Sequence, residues 1–232
     1  MSKYLGLLVI ILFFSCNNEP EYNFTLNGDI KGLKKGAVYL QRVNDSAFVT
    51  IDSVVINGNS QFSIKTNLDE PEVLFLRLNK NDDDESAIPF FAAEGITTIE
   101  STLQNFLYDA RIEGTKQQQV LENYLKMMAR FNEKNLDLIK NSLEARSKND
   151  SLSAAEVDNE LNNLLRRKYL YTINYAFSNK NSEVAPYLAV YEIPDANIKF
   201  LDTIYNALDP SIKKSRYGLE LEQLIKRKDS TR

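Results

Sequence analysis

Cys16 is the residue of this 232-residue chain whose type and position point most directly to chemistry, because it is the single cysteine of the sequence. Histidine, the commonest general base and metal ligand in proteins, is absent. Carboxylates, lysines and tyrosines remain, but no recognisable catalytic pairing of them stands out. If Cys16 is covalently modified, thiolate catalysis, disulfide exchange and cysteine-based zinc sites are excluded as well. The sequence therefore predicts no catalytic residue, no metal site and no cofactor.

Cys16 follows a short apolar segment that carries no charge. The segment runs Tyr4-Leu-Gly-Leu-Leu-Val-Ile-Ile-Leu-Phe-Phe14, with Lys3 before it and Ser15 after it. A membrane-spanning helix needs roughly 20 apolar residues, so this segment is too short to span a bilayer and is typical of a cleaved signal peptide. A lone cysteine directly after a small residue resembles the lipid-attachment site of bacterial lipoproteins.

This resemblance implies a lipid anchor at Cys16. Residues 1–15 would be the signal peptide and residues 16–21 a tether. We therefore expect a lipid-anchored protein of the cell envelope, in the outer membrane, on its periplasmic or its surface side. The alternative is an ordinary secretory leader that is cut elsewhere, but no small-x-small cleavage site follows, since Asn17, Asn18 and Glu19 are polar.

The composition indicates a globular protein without a nucleic-acid surface. The 28 basic and 32 acidic residues are well mixed, and no basic stripe appears. The 12 phenylalanines and 12 tyrosines are enough to build a core. The length left after the leader suits one large domain or two small ones.

Residues 22–114 are predicted to form an all-β domain, because apolar residues alternate there and turn signals recur about every 8–12 residues. Asn27-Gly28-Asp29 is expected to end the first strand. Asn57-Gly58 predicts a hairpin, and Glu94-Gly95 predicts a second tight turn. The expected architecture is an antiparallel β-sandwich or an open barrel. The predicted strands are Phe24–Leu26, Ala37–Val43, Phe48–Ile56, Gln61–Lys65, Glu72–Leu78, Ile88–Ala92, Ile96–Leu103 and Tyr108–Ile112.

Residues 115–232 are predicted to be α-helical, because the apolar period changes at Thr115. Two pairs, Thr115 with Gln118 and Ser153 with Glu156, predict capping boxes at the starts of two long helices. The fold class is thus α+β. The first helix has one broad apolar face, made of Val120, Leu121, Tyr124, Leu125, Met128, Phe131, Leu138, Ile139 and Leu143. Packing within a local bundle and binding to a partner explain this face equally well.

Three further features have predicted roles. The run Asn79-Lys-Asn-Asp-Asp-Asp-Glu85 could bind calcium, but without a glycine or alternating ligands a solvated hairpin loop is favoured. Tyr169, Tyr171 and Tyr175 could line a ligand pocket, whereas tyrosines on an apolar helix more often belong to a core. Shorter helices are expected after Ser182, Pro194 and Asp209.

Several segments follow one another in a recognisable order. They are Tyr22-Asn-Phe-Thr-Leu-Asn-Gly-Asp-Ile-Lys-Gly-Leu33, Gly36-Ala-Val-Tyr-Leu40, Ile51-Asp-Ser-Val-Val55, Phe90-Phe-Ala-Ala-Glu-Gly-Ile-Thr-Thr-Ile99, Asn181-Ser-Glu-Val-Ala-Pro-Tyr-Leu188 and Leu208-Asp-Pro-Ser-Ile212. The order resembles the N-terminal domain of unknown function, and the segment after it, in lipoproteins of Bacteroidetes. In many of those proteins a thioredoxin-like domain of the AhpC/TSA class follows. Its Cys-x-x-Cys motif has no match here, so no redox residue is implied.

These observations predict a non-catalytic, membrane-tethered lipoprotein that acts as a binding or scaffold module. One alternative is an accessory to a separate thioredoxin-like redox protein. A second is a carboxylate-based hydrolase such as a glycosidase, which would need two acidic groups in one site. The expected partners are the membrane, through the lipidated N-terminus, and an envelope protein, but not nucleic acid.

We expect Cys16→Ala to abolish incorporation of labelled palmitate into the protein, because the thiol is the expected acylation point. Asn17→Ala is the matched control and should label normally. Labelling that survives Cys16→Ala, or processing that is insensitive to the lipoprotein signal-peptidase inhibitor globomycin, would contradict the assignment.

Overall fold

The computed structural model describes residues 21–44, 47–79 and 87–230. Within these ranges eight strands precede six helices, which confirms the predicted α+β class. The strands are β1 (Phe24–Lys31), β2 (Lys35–Asn44), β3 (Ala47–Asn57), β4 (Gln61–Thr66), β5 (Glu72–Leu78), β6 (Ala87–Ala92), β7 (Gly95–Thr102) and β8 (Arg111–Glu113). The helices are α1 (Lys116–Ser147), α2 (Ser151–Ser178), α3 (Val184–Tyr191), α4 (Ile198–Ala207), α5 (Pro210–Lys213) and α6 (Arg216–Ser230).

The strands form two open four-stranded sheets that share one core. The first sheet has the order β4-β1-β7-β8, and the second has the order β3-β2-β5-β6. All neighbouring strands are antiparallel except β1 and β7, which run parallel with Phe24 opposite Gly95. The sandwich is thus as predicted, with one parallel pair that the sequence did not indicate.

Alternating residues of the strands fill the core between the sheets. Val38 and Leu40 share the buried face of β2, and Tyr39 points to the other face, as the period of two predicts. Phe24 of the first sheet stacks on Phe90 of the second, with ring centroids 6.4 Å apart. The same alternation on β1, β5 and β7 makes this the largest apolar cluster of the described residues.

The first strand is longer than predicted, because it continues through Asn27-Gly28-Asp29 to Lys31. Gly28 is paired with Phe62 of β4, and the Phe62 ring lies directly over it. A Cβ atom on Gly28 would stand 2.0 Å from Cζ of that ring. The glycine therefore makes room for a core aromatic ring within a strand and does not end the strand.

The Asn57-Gly58 hairpin prediction is wrong, because β3 and β4 belong to different sheets. Gly58 has a φ of +93° and donates its N–H to the Lys34 carbonyl at 2.8 Å. Gly95, at the second predicted turn, has a φ of +120° and also stands where the chain changes sheets. The glycines do supply the positive φ that a sharp change of direction needs, but the chain uses it to cross the sandwich.

The helices form a third layer on the outer face of the second sheet. Val73 and Phe91, on that face, pack against Leu121, Tyr124 and Tyr217 of the helices. A separate helical core lies among α2 to α6, with Ile173, Ala176, Ala185, Leu201, Ile204 and Leu221 among its buried members.

Neither predicted capping box forms. Thr115 stands at the N-cap of α1 without a side-chain hydrogen bond, and the Gln118 side chain bonds to β6 and not to the start of its own helix. α2 begins at Ser151, and its N-cap Asp150 accepts the Ser153 N–H at 3.0 Å. A nearby Asp thus takes the capping role, as its short carboxylate side chain allows.

We expect Gly28→Ala to lower the free energy of unfolding by about 1–3 kcal/mol, because the added Cβ must displace the buried Phe62 ring. The control is Val55→Thr, since Val55 of β3 is largely exposed and threonine keeps the β-branched shape. Urea unfolding of both variants measures the difference, and equal stability would contradict the packing described.

Candidate functional site

The helical half is fixed to the sandwich by one buried carboxylate, that of Glu72. It lies at the start of β5, on the same side as the core residues Leu74 and Leu76, and is only 4% exposed. Arg42 of β2 reaches one carboxylate oxygen at 2.9 Å, and Arg216 of α6 reaches the other at 3.0 Å. Residues 144 positions apart in the chain are thus joined by ion pairs.

Burial raises the pKa of Glu72 above its ordinary value, and the positive charges of Arg42 and Arg216 oppose that shift. Removal of one arginine while the carboxylate stays buried would leave a poorly compensated charge. Glu72 is therefore engaged in a structural contact and is not a free acid in a cleft.

We call the contact between the start of α6 and the sandwich the junction. Arg216 and Tyr217 add three more hydrogen bonds to it. The backbone N–H of Arg216 donates to the Glu70 carboxylate at 2.7 Å, and the Arg216 guanidinium donates to the Val43 carbonyl at 3.1 Å. The Tyr217 hydroxyl accepts the Val73 N–H at 2.8 Å. The start of α6 is thus bonded to β2 and β5 and to the loop that precedes β5.

The start of α1 is fixed in a similar way. Gln118 is buried, and its side-chain oxygen accepts the Phe91 N–H of β6 at 2.7 Å. The Gln117 side chain donates to Glu183 and accepts from Ser182, which links α1 to the start of α3. These contacts fix the direction in which α1 leaves the sandwich.

The predicted tyrosines pack against two different apolar clusters, Tyr169 against the one among α2 to α6 and Tyr171 and Tyr175 against the one between the helices and the sandwich. Tyr171 and Tyr175 pack on Tyr124, with ring centroids 6.3 and 5.5 Å away. Tyr175 donates to the Val120 carbonyl at 2.7 Å, and Tyr124 shares a hydrogen bond of 2.9 Å with Thr172. Burial raises the pKa of Tyr124, so its hydroxyl stays protonated. These rings hold α1 against α2.

Beyond this core the two long helices continue as a projecting hairpin. The apolar clusters include residues of α1 only up to Phe131 and residues of α2 only from Tyr169 onward. We call residues 132–168 the arm. Leu138, Ala145 and Leu164 are buried within it, and Arg146 pairs with Asp158 at 2.9 Å to join its two helices. The α1 part of the arm is about 24 Å long.

The arm exposes a stripe of apolar side chains. Leu136 and Leu143 are 66% and 64% exposed, and Ile139 lies between them. Because a helix turns about 100° per residue, these three lie within one narrow arc, on a different face from the buried Leu138 and Ala145. The predicted apolar face of α1 is therefore only partly covered, because Ile139 and Leu143 meet solvent whereas Leu138 is buried.

A second apolar surface lies where the arm joins the body. A groove of about 700 Å³ runs between α2 and α4. Its lining side chains are Asn162, Leu165, Arg166, Tyr169 and Leu170 of α2 and Phe200 of α4. Tyr169 also packs against the helical core.

The remaining predicted sites are treated as follows. Cys16 and the stretch from Lys80 to Glu85 lie outside the described residues. In the part of the chain that the structure describes, no three or more metal-ligating side chains cluster. No helix in the same part is long and apolar enough to cross a bilayer.

The junction and the groove were missed at the level of sequence, whereas Ile139 and Leu143 of the stripe belong to the predicted apolar face, for which partner binding was one of two explanations. A single acidic residue on the inward face of an apolar strand, as at Glu72, is a usable signal for a buried ion pair. The stripe and the groove give no such signal, because a leucine on a helix looks the same whether it is covered or not.

Comparison with known proteins identifies part of the chain. Residues 24–121 match the family model described as "Domain of unknown function (DUF4369)". The match runs from β1 into the first turns of α1, so it includes Gln118 and its bond to the sandwich. It supports the domain of unknown function that the sequence motifs resemble; the lipoprotein type and the Bacteroidetes source stay predictions.

No curated protein and no solved structure matches the chain.

We expect Arg216→Met to lower the free energy of unfolding by about 3 kcal/mol at neutral pH, because it leaves Glu72 with one arginine. The loss should shrink as the pH falls through the pKa of Glu72, since a protonated carboxyl no longer attracts a guanidinium. Lys226→Met, in the exposed Lys226–Glu222 pair of the same helix, is the control and should cost less than about 0.5 kcal/mol. Equal losses at every pH would contradict this role of the junction.

Proposed function

We propose that this chain is a non-catalytic binding or scaffold module, tethered to a bacterial envelope membrane by lipid on Cys16, and that the arm binds its protein partner. The projecting α1–α2 hairpin with its exposed stripe is the observation that carries the proposal. Contiguous exposed apolar patches are a mark of protein interaction sites.

The use of the titratable groups supports a non-catalytic role. Glu72 is held in ion pairs, and Tyr124, Tyr175 and Tyr217 bond to groups within the fold. Glu70, the nearest acidic neighbour of Glu72 in the sequence, accepts the Arg216 N–H. A glycosidase would need one carboxyl as acid and a second as base or nucleophile, both facing a cleft.

The position of the arm relative to the tether also supports the proposal. Gly95 donates to the Asn23 carbonyl at 2.8 Å, and a Cβ on Gly95 would lie 3.7 Å from the Thr115 side chain. The start of the folded chain and the base of α1 are thus neighbours.

α1 is about 48 Å long, whereas the chain between Cys16 and Asn23 spans at most about 25 Å. The tip of the arm therefore stays at least about 15 Å from the lipid attachment point.

We expect a photo-crosslinking side chain at Leu143 to capture a defined protein in native envelope membranes. The same side chain at Val55, on the outer face of β3, is the control and should not capture it. Leu136→Ser in the Leu143 crosslinking variant should abolish capture without changing stability by more than about 0.5 kcal/mol, because Leu136 is largely exposed.

Equal capture from Leu143 and Val55, or capture that ignores Leu136→Ser, would contradict the proposal. The accessory role in thiol redox chemistry stays a prediction, and the identity of the captured protein tests it: a thioredoxin-like protein would favour that role.

A further inference from the structure

The groove between α2 and α4 is the second apolar surface of the helical half, and it differs from the stripe in containing a charge. Arg166 stands among Leu165, Leu170 and Phe200, and within the described part of the chain it makes no hydrogen bond or ion pair. From residue 161 to residue 182 the sequence has four basic residues and no acidic one: Arg166, Arg167, Lys168 and Lys180. Arg166 is therefore the charge among the lining residues, and no acidic residue of this stretch neutralises it.

The openness of the groove limits what can occupy it. Leu165, Leu170 and Phe200 are 65%, 43% and 41% exposed. A small-molecule site usually buries 70–90% of its ligand, which walls this open cannot do. The occupant must therefore be large enough to cover the walls from outside, as a segment of a protein is.

The walls also determine the backbone form of that segment. Leu165, Tyr169 and Phe200 all come from helices, whose backbone groups are already bonded within the helix. An extended strand is usually recognised by pairing with a sheet edge, and no sheet edge lines this groove, whereas an amphipathic helix is a usual occupant of an apolar groove. A helix with leucine-like residues on one face is the segment that fits.

Charge determines the remaining feature of the occupant. Arg166 offers an unpaired guanidinium at the groove, so an acidic residue on the flank of the bound helix would pair with it. On the other side, burial and the nearby charge of Asp195 raise the pKa of Tyr169, so the Tyr169 end of the groove has an acidic neighbour. The acidic flank of the bound helix should therefore face Arg166 and lie away from Tyr169.

We infer that the α2–α4 groove docks an amphipathic helix of a partner protein, with an acidic residue of that helix against Arg166. The inference rests on the proposed function, which it extends by naming the chemistry of the bound segment at the base of the arm. The groove and the exposed stripe are separate surfaces, so each can be tested without the other.

The test uses two stapled helical peptides of about 15 residues with leucines along one face. One has glutamates on its flanks, and the other has lysines there. Fluorescence anisotropy with the folded protein should give at least about tenfold tighter binding of the acidic peptide. Arg166→Glu should reverse that order, and Leu170→Ser should weaken both peptides by about tenfold.

Arg167→Glu is the matched control, because it changes the net charge equally at the adjacent position outside the groove. Its effect should be less than about threefold. All variants alter exposed side chains, and unchanged thermal unfolding confirms that they fold.

Two peptide results would overturn the inference: no binding of either peptide at about 1 mM, or equal effects of Arg166→Glu and Arg167→Glu. Two other results would assign the groove to a different occupant and so overturn it as well. These are displacement of the acidic peptide by vesicles of anionic phospholipid, and self-association of the protein that Leu170→Ser abolishes. In each case the proposed function would stand if the crosslinking side chain at Leu143 still captured its partner in the Leu170→Ser variant.

Discussion

The buried carboxylate of Glu72 is the contact on which the arrangement of the two halves depends. It stands at the end of the inter-sheet core, and it receives one guanidinium from the sandwich and one from the last helix. Ions so buried are stable only when both partners stay in place, so the position of α6 relative to β2 and β5 is strongly restricted. Because Tyr217 bonds to Val73 beside it, the ion pairs and the aromatic packing restrict the same contact.

α1 is fixed to the sandwich by contacts of its own, all of them at its N-terminal half. α1 is held by Gln118 at its first turns and by the tyrosine core up to Phe131, and beyond Phe131 it contributes no residue to the apolar clusters of the described structure. The same helix thus belongs to the core at one end and to the surface at the other. A protein that only needed a stable helical layer would not need the half of α1 that follows Phe131. That excess length, and not any reactive group, is the feature that most favours a role in binding.

Much of the fold could be predicted from residue pattern. The bounds of β5 and the buried face of β2 follow from the period of two, and the change to helices at Thr115 follows from the period of 3.6. The errors arose where a local signal has two uses. Gly58 and Gly95 provide positive φ both for a hairpin and for a crossing between sheets, and only the long-range pairing decides. Gln118 can cap its own helix or bond to β6, and the unpaired Phe91 N–H decides in favour of the strand.

The candidate surfaces could not be predicted for a related reason. Leu125, Leu138 and Leu143 share one helical pattern, yet Leu138 is buried whereas Leu143 is exposed, because α2 covers only one side of the arm. Exposure depends on how many neighbours a helix finds, and that number is a property of the whole fold. Ion pairs such as Arg216–Glu72 join residues too distant in the chain for any local pattern to reveal them.

Hydrogen exchange of the amides from Leu136 to Leu143 tests most directly whether the arm is a binding surface. In the purified protein these amides should exchange faster than those of Ile173 to Ala176, which lie in the helical core. In native envelope membranes the account predicts slower exchange at Leu136 to Leu143 and unchanged exchange at Ile173 to Ala176. Identical exchange of the arm in both settings would contradict the claim that it binds a partner.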